Sequence, residues 1–359
     1  MFETSHDGRY QMISLRLEDV VALVFFLLTL IIKIVFRELR QENVSPADVL
    51  IIIPAVSLLL AKELVHYFVA GPSGKPAGES ADLDAASPPV SAARGGAHTS
   101  DLGAFVRPYW EIVRDWFPFL VILLMYYSLW GDATHLLTTT DRDAALIALD
   151  QRLFGFQASV AIERFIRPAL TSWMEFAYVY HIWNIPLVAC FIYLCRPRER
   201  FREMMCGVIV VSFLGLLGYL LVPAIGPMYT LRDQYTVPLS QPLDLFNRQI
   251  DFMNFARIRR DVFPSLHVAI SFVVWLYAWR NSRWLGWILT PLILSLWIST
   301  VYLRYHYLVD CLAGLALAPL SYWLANWMFK RFGIVRIPLK LPGWTPWARP
   351  SASVGKERV

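Results

Sequence analysis

The chain has 359 residues, of which 57% are hydrophobic and 17% charged, with a formal net charge of +5. An ordinary soluble domain carries roughly 25% charged residues, so this composition, with a mean hydropathy of +0.46, argues against a water-soluble globule. Cys190, Cys195, Cys206 and Cys311 sit in or beside apolar runs without framework spacing, which excludes a disulfide scaffold; they read as small packing residues.

A spanning helix needs roughly 20 mostly apolar residues. In chain order the qualifying runs are 18–36, 46–70, 109–130, 169–195, 204–225, 262–280, 284–303 and 306–329. The expected fold is an all-α polytopic membrane helix bundle of about eight spans. The first run follows mixed polar residues without a small-residue cleavage site, so a retained span is expected rather than a removed signal peptide. Residues 71–106 open with Gly71-Pro72-Ser73-Gly74 and contain Ser87-Pro88-Pro89. They offer too little apolar surface to offset their ordering entropy and read as a disordered cytoplasmic linker. This divides the chain into two N-terminal spans (1–70), a six-span catalytic core (107–330) and a basic cytoplasmic tail (331–359). Within 141–167, Leu146, Leu149, Leu153, Phe156 and Val160 recur at helical spacing, with Asp143, Asp150 and Arg152 elsewhere. The pattern fits an amphipathic helix on the outer membrane surface, or equally a soluble cap packed on the bundle.

Lys and Arg in short loops favour the cytoplasmic side. Arg196-Pro197-Arg198-Glu199-Arg200-Phe201-Arg202, the pair Arg280 and Arg283, and the group Lys330, Arg331, Arg336 and Lys340 all fall on one side in this count. Arg37 and Arg40, after the first span, run against it. The C-terminus is expected in the cytoplasm.

Of the seven histidines, His6, His98 and His135 lie in polar or loop segments. His66 lies near the inner end of the second span. Intramembrane ionisable groups are functional candidates by default, which singles out Glu175 and His181 in the fourth span; a satisfied hydrogen bond inside the bundle explains them equally well. His267 lies in Asp261-Val262-Phe263-Pro264-Ser265-Leu266-His267, where an outer loop becomes the sixth span. Pro264 fits a first helical turn, leaving Ser265 and His267 at an N-terminus that attracts anions. His306 opens the eighth span in Arg304-Tyr305-His306-Tyr307-Leu308-Val309-Asp310, with Asp310 four residues on and on the same helix face. Each crossing needs about 30 Å, or roughly 20 residues. The 39 residues from His267 to His306 therefore make two crossings and return both imidazoles to the outer surface. Arg257, Arg259 and Arg260 precede the Ser265 segment, and Arg232 follows the fifth span. Two imidazoles, a carboxylate, a hydroxyl, a helix N-terminus and guanidinium groups suit a phosphoryl group, with one imidazole attacking and the other donating a proton.

Pro264-Ser265-Leu266-His267 and His306-Tyr307-Leu308-Val309-Asp310 resemble the later motifs of the type-2 phosphatidic acid phosphatase superfamily. The wording Phe-Pro-Ser-Leu-His, with Pro223-Ala224-Ile225-Gly226-Pro227-Met228-Tyr229 after the fifth span, is similar to the branch containing inositol phosphorylceramide synthase and related bacterial membrane phosphotransferases. The resemblance covers about residues 107–330. It implies His306 as nucleophile, Asp310 as its orienting partner and His267 as general acid and then base. Ser265 and the arginines, Arg304 among them, would hold the phosphate oxygens. The superfamily's first motif is absent, since none of the four Arg-Pro pairs has a Lys seven positions earlier, and Thr300 replaces the usual Arg six residues before the second His.

The expected function is transfer of a phosphoryl or headgroup phosphate from a membrane lipid phosphate to a small alcohol such as inositol, or to water. The expected site adds Tyr229, Glu175 and His181 as substrate-binding candidates, with no cofactor, no metal and no nucleic-acid partner. The branch implies the inner membrane of a bacterium, with the site on the extracytoplasmic side, where interfacial aromatics such as Tyr305, Tyr307 and Tyr229 suit a lipid. A polyprenyl or lipid (di)phosphate phosphatase is the alternative within the same chemistry, and two other readings compete. His267, His306 and Asp310 form a two-His-one-carboxylate set of metal-ligand type, though the arginines would repel a cation. A non-enzymatic transporter or scaffold needs the paired motifs to be accidental.

Overall fold

The apolar runs become helices whose ends are set by local chemistry. The computed structural model describes residues 2–4, 11–40, 109–120, 140–239 and 260–339. The expected run 46–70, the linker 71–106, the later part of 109–130 and the tail beyond 339 lie outside the described residues. Helices α1 (Leu17–Arg40), α2 (Asp143–Phe154), α3 (Pro168–Cys195), α4 (Arg198–Leu221), α5 (Leu266–Asn281), α6 (Arg283–Tyr302) and α7 (Leu308–Phe332) follow in order, with a further helical stretch at 109–120. Pro168 opens α3, where its missing N–H costs nothing. Ser265 and Ser282 cap α5 and α6 by accepting from the Val268 and Leu285 amides. Arg196-Pro197 separates α3 from α4, since a residue before proline avoids helical geometry.

Among the described residues, α3, α4, α6 and α7 are long and apolar enough to cross a membrane. The shorter α5 is the centre of the bundle and touches all four of them. The chain is thus a polytopic all-α membrane bundle, as expected. A small antiparallel sheet of Phe2–Thr4, Gln11–Arg16 and Ile334–Leu339 adds to it, joining the start of α1 to the end of α7.

Lipid gives apolar side chains no reason to prefer one another, so membrane helices rely on close packing at small residues. Here a methyl on Gly207 would meet the Tyr277 ring, one on Gly215 the Leu266 side chain, and one on Gly314 the Ser265 backbone oxygen at 2.5 Å. The last contact matters most, because it sets the approach of α7 to the first turn of α5.

The basic segments share one end of the bundle. Arg196 donates to the Asn281 carbonyl at 2.9 and 2.6 Å. Arg280 pairs with Glu203 at 3.1 Å, and Arg202 with Glu18 at the start of α1. Helix α4 begins six residues before the expected span, since Arg198 and Arg200 in its first turns keep their charged heads exposed and Arg202 pairs with the buried Glu18.

The segment 141–167 is not one helix. Gly155, in the left-handed region at φ +79, ends α2, and Ala158–Ala161 and a 3₁₀ turn at Ile162–Phe165 follow. It packs on the bundle end with Asp143, Asp150 and Glu163 buried, while Leu149, Leu153 (57% exposed), Phe156 and Phe165 face outward. The segment thus covers the bundle end and leaves an apolar outer surface.

Candidate active site

His267 and His306 meet at the end of the bundle opposite the basic one. His306 Nε2 lies 3.3 Å from His267 Nδ1, and His306 Nδ1 lies 3.5 Å from Asp310 Oδ2. Asp310 is fully buried, and its Oδ2 accepts the Tyr307 amide at 2.9 Å. The route to this contact differs from the shared helix face expected. Helix α7 starts only at Leu308, and His306 stands before it in a turn. Arg304 makes that turn at φ +65, a left-handed conformation uncommon outside glycine. The Thr300 carbonyl secures it by accepting from the amides of Tyr305 and His306 at 2.9 and 3.1 Å. The Thr300 hydroxyl donates to the Trp297 carbonyl and lies 3.3 Å from Cys311 Sγ. Position 300 therefore builds the turn from within.

The His267 ring is held on two sides by α3. Tyr178 stacks on it at 4.7 Å and on Tyr305 at 4.6 Å, and the His181 ring lies 4.5 Å away. His181 thus lies against the histidine pair. Glu175, six residues earlier on α3, is buried, and among the described residues its Oε2 has no hydrogen-bond partner. Ser265 is fully buried. Its hydroxyl serves as the α5 cap and its amide donates to the Asp310 carbonyl at 3.0 Å, joining α5 to α7. Pro264 precedes that cap and is outside the first helical turn, in a cis peptide with Phe263.

The arginines take separate places. Arg304 donates to Glu163 at 2.7 Å and to the Val237 carbonyl, with its guanidinium 3.9 Å from the Tyr235 ring centre. Buried Arg260 pairs with Asp141 at 2.7 Å. Arg232 and Tyr229 are exposed and line a cavity shared with Arg304. Arg257 and Arg259 lie outside the described residues. Tyr305 and Tyr307, expected at the lipid interface, are buried instead, because one stacks beside His267 through Tyr178 and the other donates its hydroxyl to Asp143.

Sequence reasoning missed the carboxylates that hold this end together. Each grips two successive backbone amides. Asp143 accepts from Ile225 and Gly226 at 2.9 and 2.8 Å. Asp150 accepts from Leu308 and Val309 at 3.0 and 2.9 Å. Glu163 accepts from Thr236 and Val237 at 3.1 and 3.3 Å. Burial pushes the Asp150 carboxyl above its ordinary range, and the two amides only partly offset this. Burial also acts to raise Glu163, but its amides, the Thr236 hydroxyl and Arg304 together hold it below the usual value. Asp143 and Asp150, seven residues apart, share a helix face; that spacing was the available signal, hidden because acids on an amphipathic helix ordinarily face water.

A helical membrane bundle with paired imidazoles and a carboxylate at one end defines an integral membrane protein with a polar site at the edge of its apolar core. The family follows from comparison. The model of the PAP2 superfamily matches residues 144–324, half of the chain, and the protein belongs to that superfamily, whose membership supports a phosphatase or phosphotransferase enzyme. A phosphoinositol dihydroceramide synthase of Bacteroides thetaiotaomicron is 26% identical over 217 residues, 54% of this chain and 68% of that protein. A PA-phosphatase related-family protein of Dictyostelium discoideum is 27% identical over 214 residues, 48% of this chain and 37% of that one. No solved structure matches the chain.

Proposed function

We propose that this protein is a membrane phosphotransferase that moves a phosphoryl or headgroup phosphate from a lipid phosphate to an alcohol, through a phosphohistidine at His306. The observation that carries this reading is the approach of His306 Nε2 to His267 Nδ1, with Asp310 behind the other nitrogen of His306. Asp310 holds the proton of Nδ1 and leaves the Nε2 lone pair free to attack phosphorus. The P–N bond forms as the bond from phosphorus to the lipid oxygen breaks, and His267 gives that oxygen its proton. His267 then removes the proton of an incoming hydroxyl, which attacks phosphorus and releases His306. A phosphoryl group entering between the rings replaces their mutual hydrogen bond. Tyr178 and His181 hold His267 in place during this exchange.

An alcohol acceptor is favoured over water by the relative named as a phosphoinositol dihydroceramide synthase; inositol and a ceramide- or diacylglycerol-type lipid are the corresponding substrates. The reaction runs without a metal ion. The positive-inside bias assigns the basic end to the cytoplasm, so the imidazoles face the opposite leaflet at headgroup depth.

The test is incubation of the purified protein with a panel of lipid phosphates, with and without alcohol acceptors, in the presence of a chelator. A new phospholipid formed only with acceptor supports transfer, whereas inorganic phosphate alone redirects the reading to hydrolysis. Brief exposure to radiolabelled donor is expected to leave an acid-labile label on wild type and none on His306→Ala. Equal label on both would remove His306 from its role.

A further inference from the structure

The cavity beside the histidines has the features of a separate anion site. Its volume is about 520 Å3, within the range of about 300–1,000 Å3 found for small-molecule sites. Arg232, Arg304, Tyr235 and Thr236 line it together with Met228 and Leu239. Met228 and Leu239 also pack on the cluster containing Tyr178 and Tyr305, and Tyr178 stacks on His267. The cavity and the imidazoles therefore flank the same aromatic layer.

The Arg304 guanidinium is already fixed. Its Nη2 donates to Glu163 and to the Val237 carbonyl, and its plane rests on Tyr235, whose hydroxyl is in turn anchored on Ser159. Its Nε is buried and, among the described residues, has no hydrogen-bond partner. A guanidinium preorganised at the wall of a cavity is a strong recogniser of phosphate oxygens. Glu163 is the carboxylate against this guanidinium, but its oxygens also serve the Thr236 and Val237 amides and the Thr236 hydroxyl. Asp233 neighbours Arg232 in the chain and does not line the cavity. Among the described residues, two guanidinium groups thus face a space beside one, already shared, carboxylate.

We propose that this cavity binds a second phosphate-bearing group, distinct from the phosphoryl carried by His306. This rests on the reading that the histidine pair handles phosphoryl transfer. The ligand is a phosphate ester, supplied either by a lipid headgroup or by a water-soluble acceptor. Its anion sits between the Arg304 and Arg232 guanidinium groups, and its organic part lies against Met228 and Leu239.

The test uses the full chain carrying His306→Ala, so that no covalent transfer intervenes, and equilibrium dialysis of radiolabelled glycerol 3-phosphate. Binding is expected, and a second change, Arg232→Gln, should weaken it about tenfold, equivalent to about 1.4 kcal/mol. Arg304→Lys keeps the charge but loses the fork and should weaken it as well. Adding His267→Ala to His306→Ala should leave the affinity in place. Binding unchanged by Arg232→Gln, abolished by His267→Ala, or absent altogether overturns the proposal. Repeating the measurement in phosphatidylcholine nanodiscs with and without phosphatidic acid separates the sources. Displacement by phosphatidic acid indicates a lipid headgroup, and retention indicates a soluble acceptor. Failure of the histidine reading would show separately, as a wild type that forms no acid-labile phosphoenzyme while still binding glycerol 3-phosphate.

Discussion

Replacing Asp150 with alanine tests whether the cap on α7 positions His306. Asp150 is buried, and both its oxygens accept amides of the first turn of α7, Leu308 and Val309, two and three residues after His306. A hydrogen bond to a charged group contributes about 1.5–3 kcal/mol. Part of this is offset by burial of the carboxylate, which holds its folded-state pKa above the ordinary range. A raised carboxyl pKa means that burial costs the charged form more than the two amides recover. Alanine leaves two N–H groups unpartnered, and Val309 is buried, so a loss of about 2–4 kcal/mol is expected. Asparagine keeps one acceptor without the charge and should lose only about 1 kcal/mol. A displacement of about 1 Å at a reacting group costs on the order of 10²-fold in rate. Asp150→Ala should therefore lower kcat about 100-fold, while Asp150→Asn stays within about tenfold of wild type. Turnover of the preferred lipid phosphate, with kcat and KM separated, is measured alongside thermal unfolding in the same detergent. An alanine variant that unfolds at lower temperature yet keeps the wild-type kcat would show the cap to be structural only.

Other sites give sharper single outcomes. Asp310 Oδ2 faces both the Tyr307 amide and His306 Nδ1, so Asp310→Asn either keeps an oxygen there without the charge or sets an N–H against both; the loss of the orienting carboxylate should lower kcat by up to about 10⁴-fold, as in a serine-protease triad, with the helical circular dichroism unchanged. Full activity would remove Asp310 from the orienting role. Gly314→Ala places a methyl 2.5 Å from the Ser265 backbone oxygen, so α5 and α7 must part; a destabilisation of about 1–3 kcal/mol is expected, together with loss of the phosphohistidine label, and a fully labelled, equally stable variant contradicts the packing argument. The Glu163 carboxyl is held below its ordinary value, so its grip on Thr236 and Val237 persists above the unfolded pKa of about 4.3 and is lost as the pH falls through the lower folded value. Hydrogen-exchange protection of those amides should be level near neutrality and fall only below that point; protection already lost near pH 6 would reverse the sign.

The spans were legible because lipid imposes a length: α3, α6 and α7 begin within two residues of the expected runs. The arginine clusters were equally plain, and their gathering at one end follows from helices that cross and return. The approach of His267 to His306 could be argued by counting two crossings. Less legible were the contacts made by irregular chain. The turn at Arg304 replaces the helical face assumed for His306 and Asp310, and the hydroxyl of Ser265, read as a phosphate ligand, caps a helix.

Periodicity and charge bias, which depend on each residue and its near neighbours in the chain, thus determined a membrane bundle with two histidines at one end. Only the tertiary structure decided that Asp143, Asp150 and Glu163 turn inward to hold backbone amides distant in sequence. It also decided that Arg304 lies on Tyr235 and that His181 lies against His267. The physical reason is that a buried amide must find an acceptor, and which carboxylate supplies it depends on how segments far apart in the chain come together.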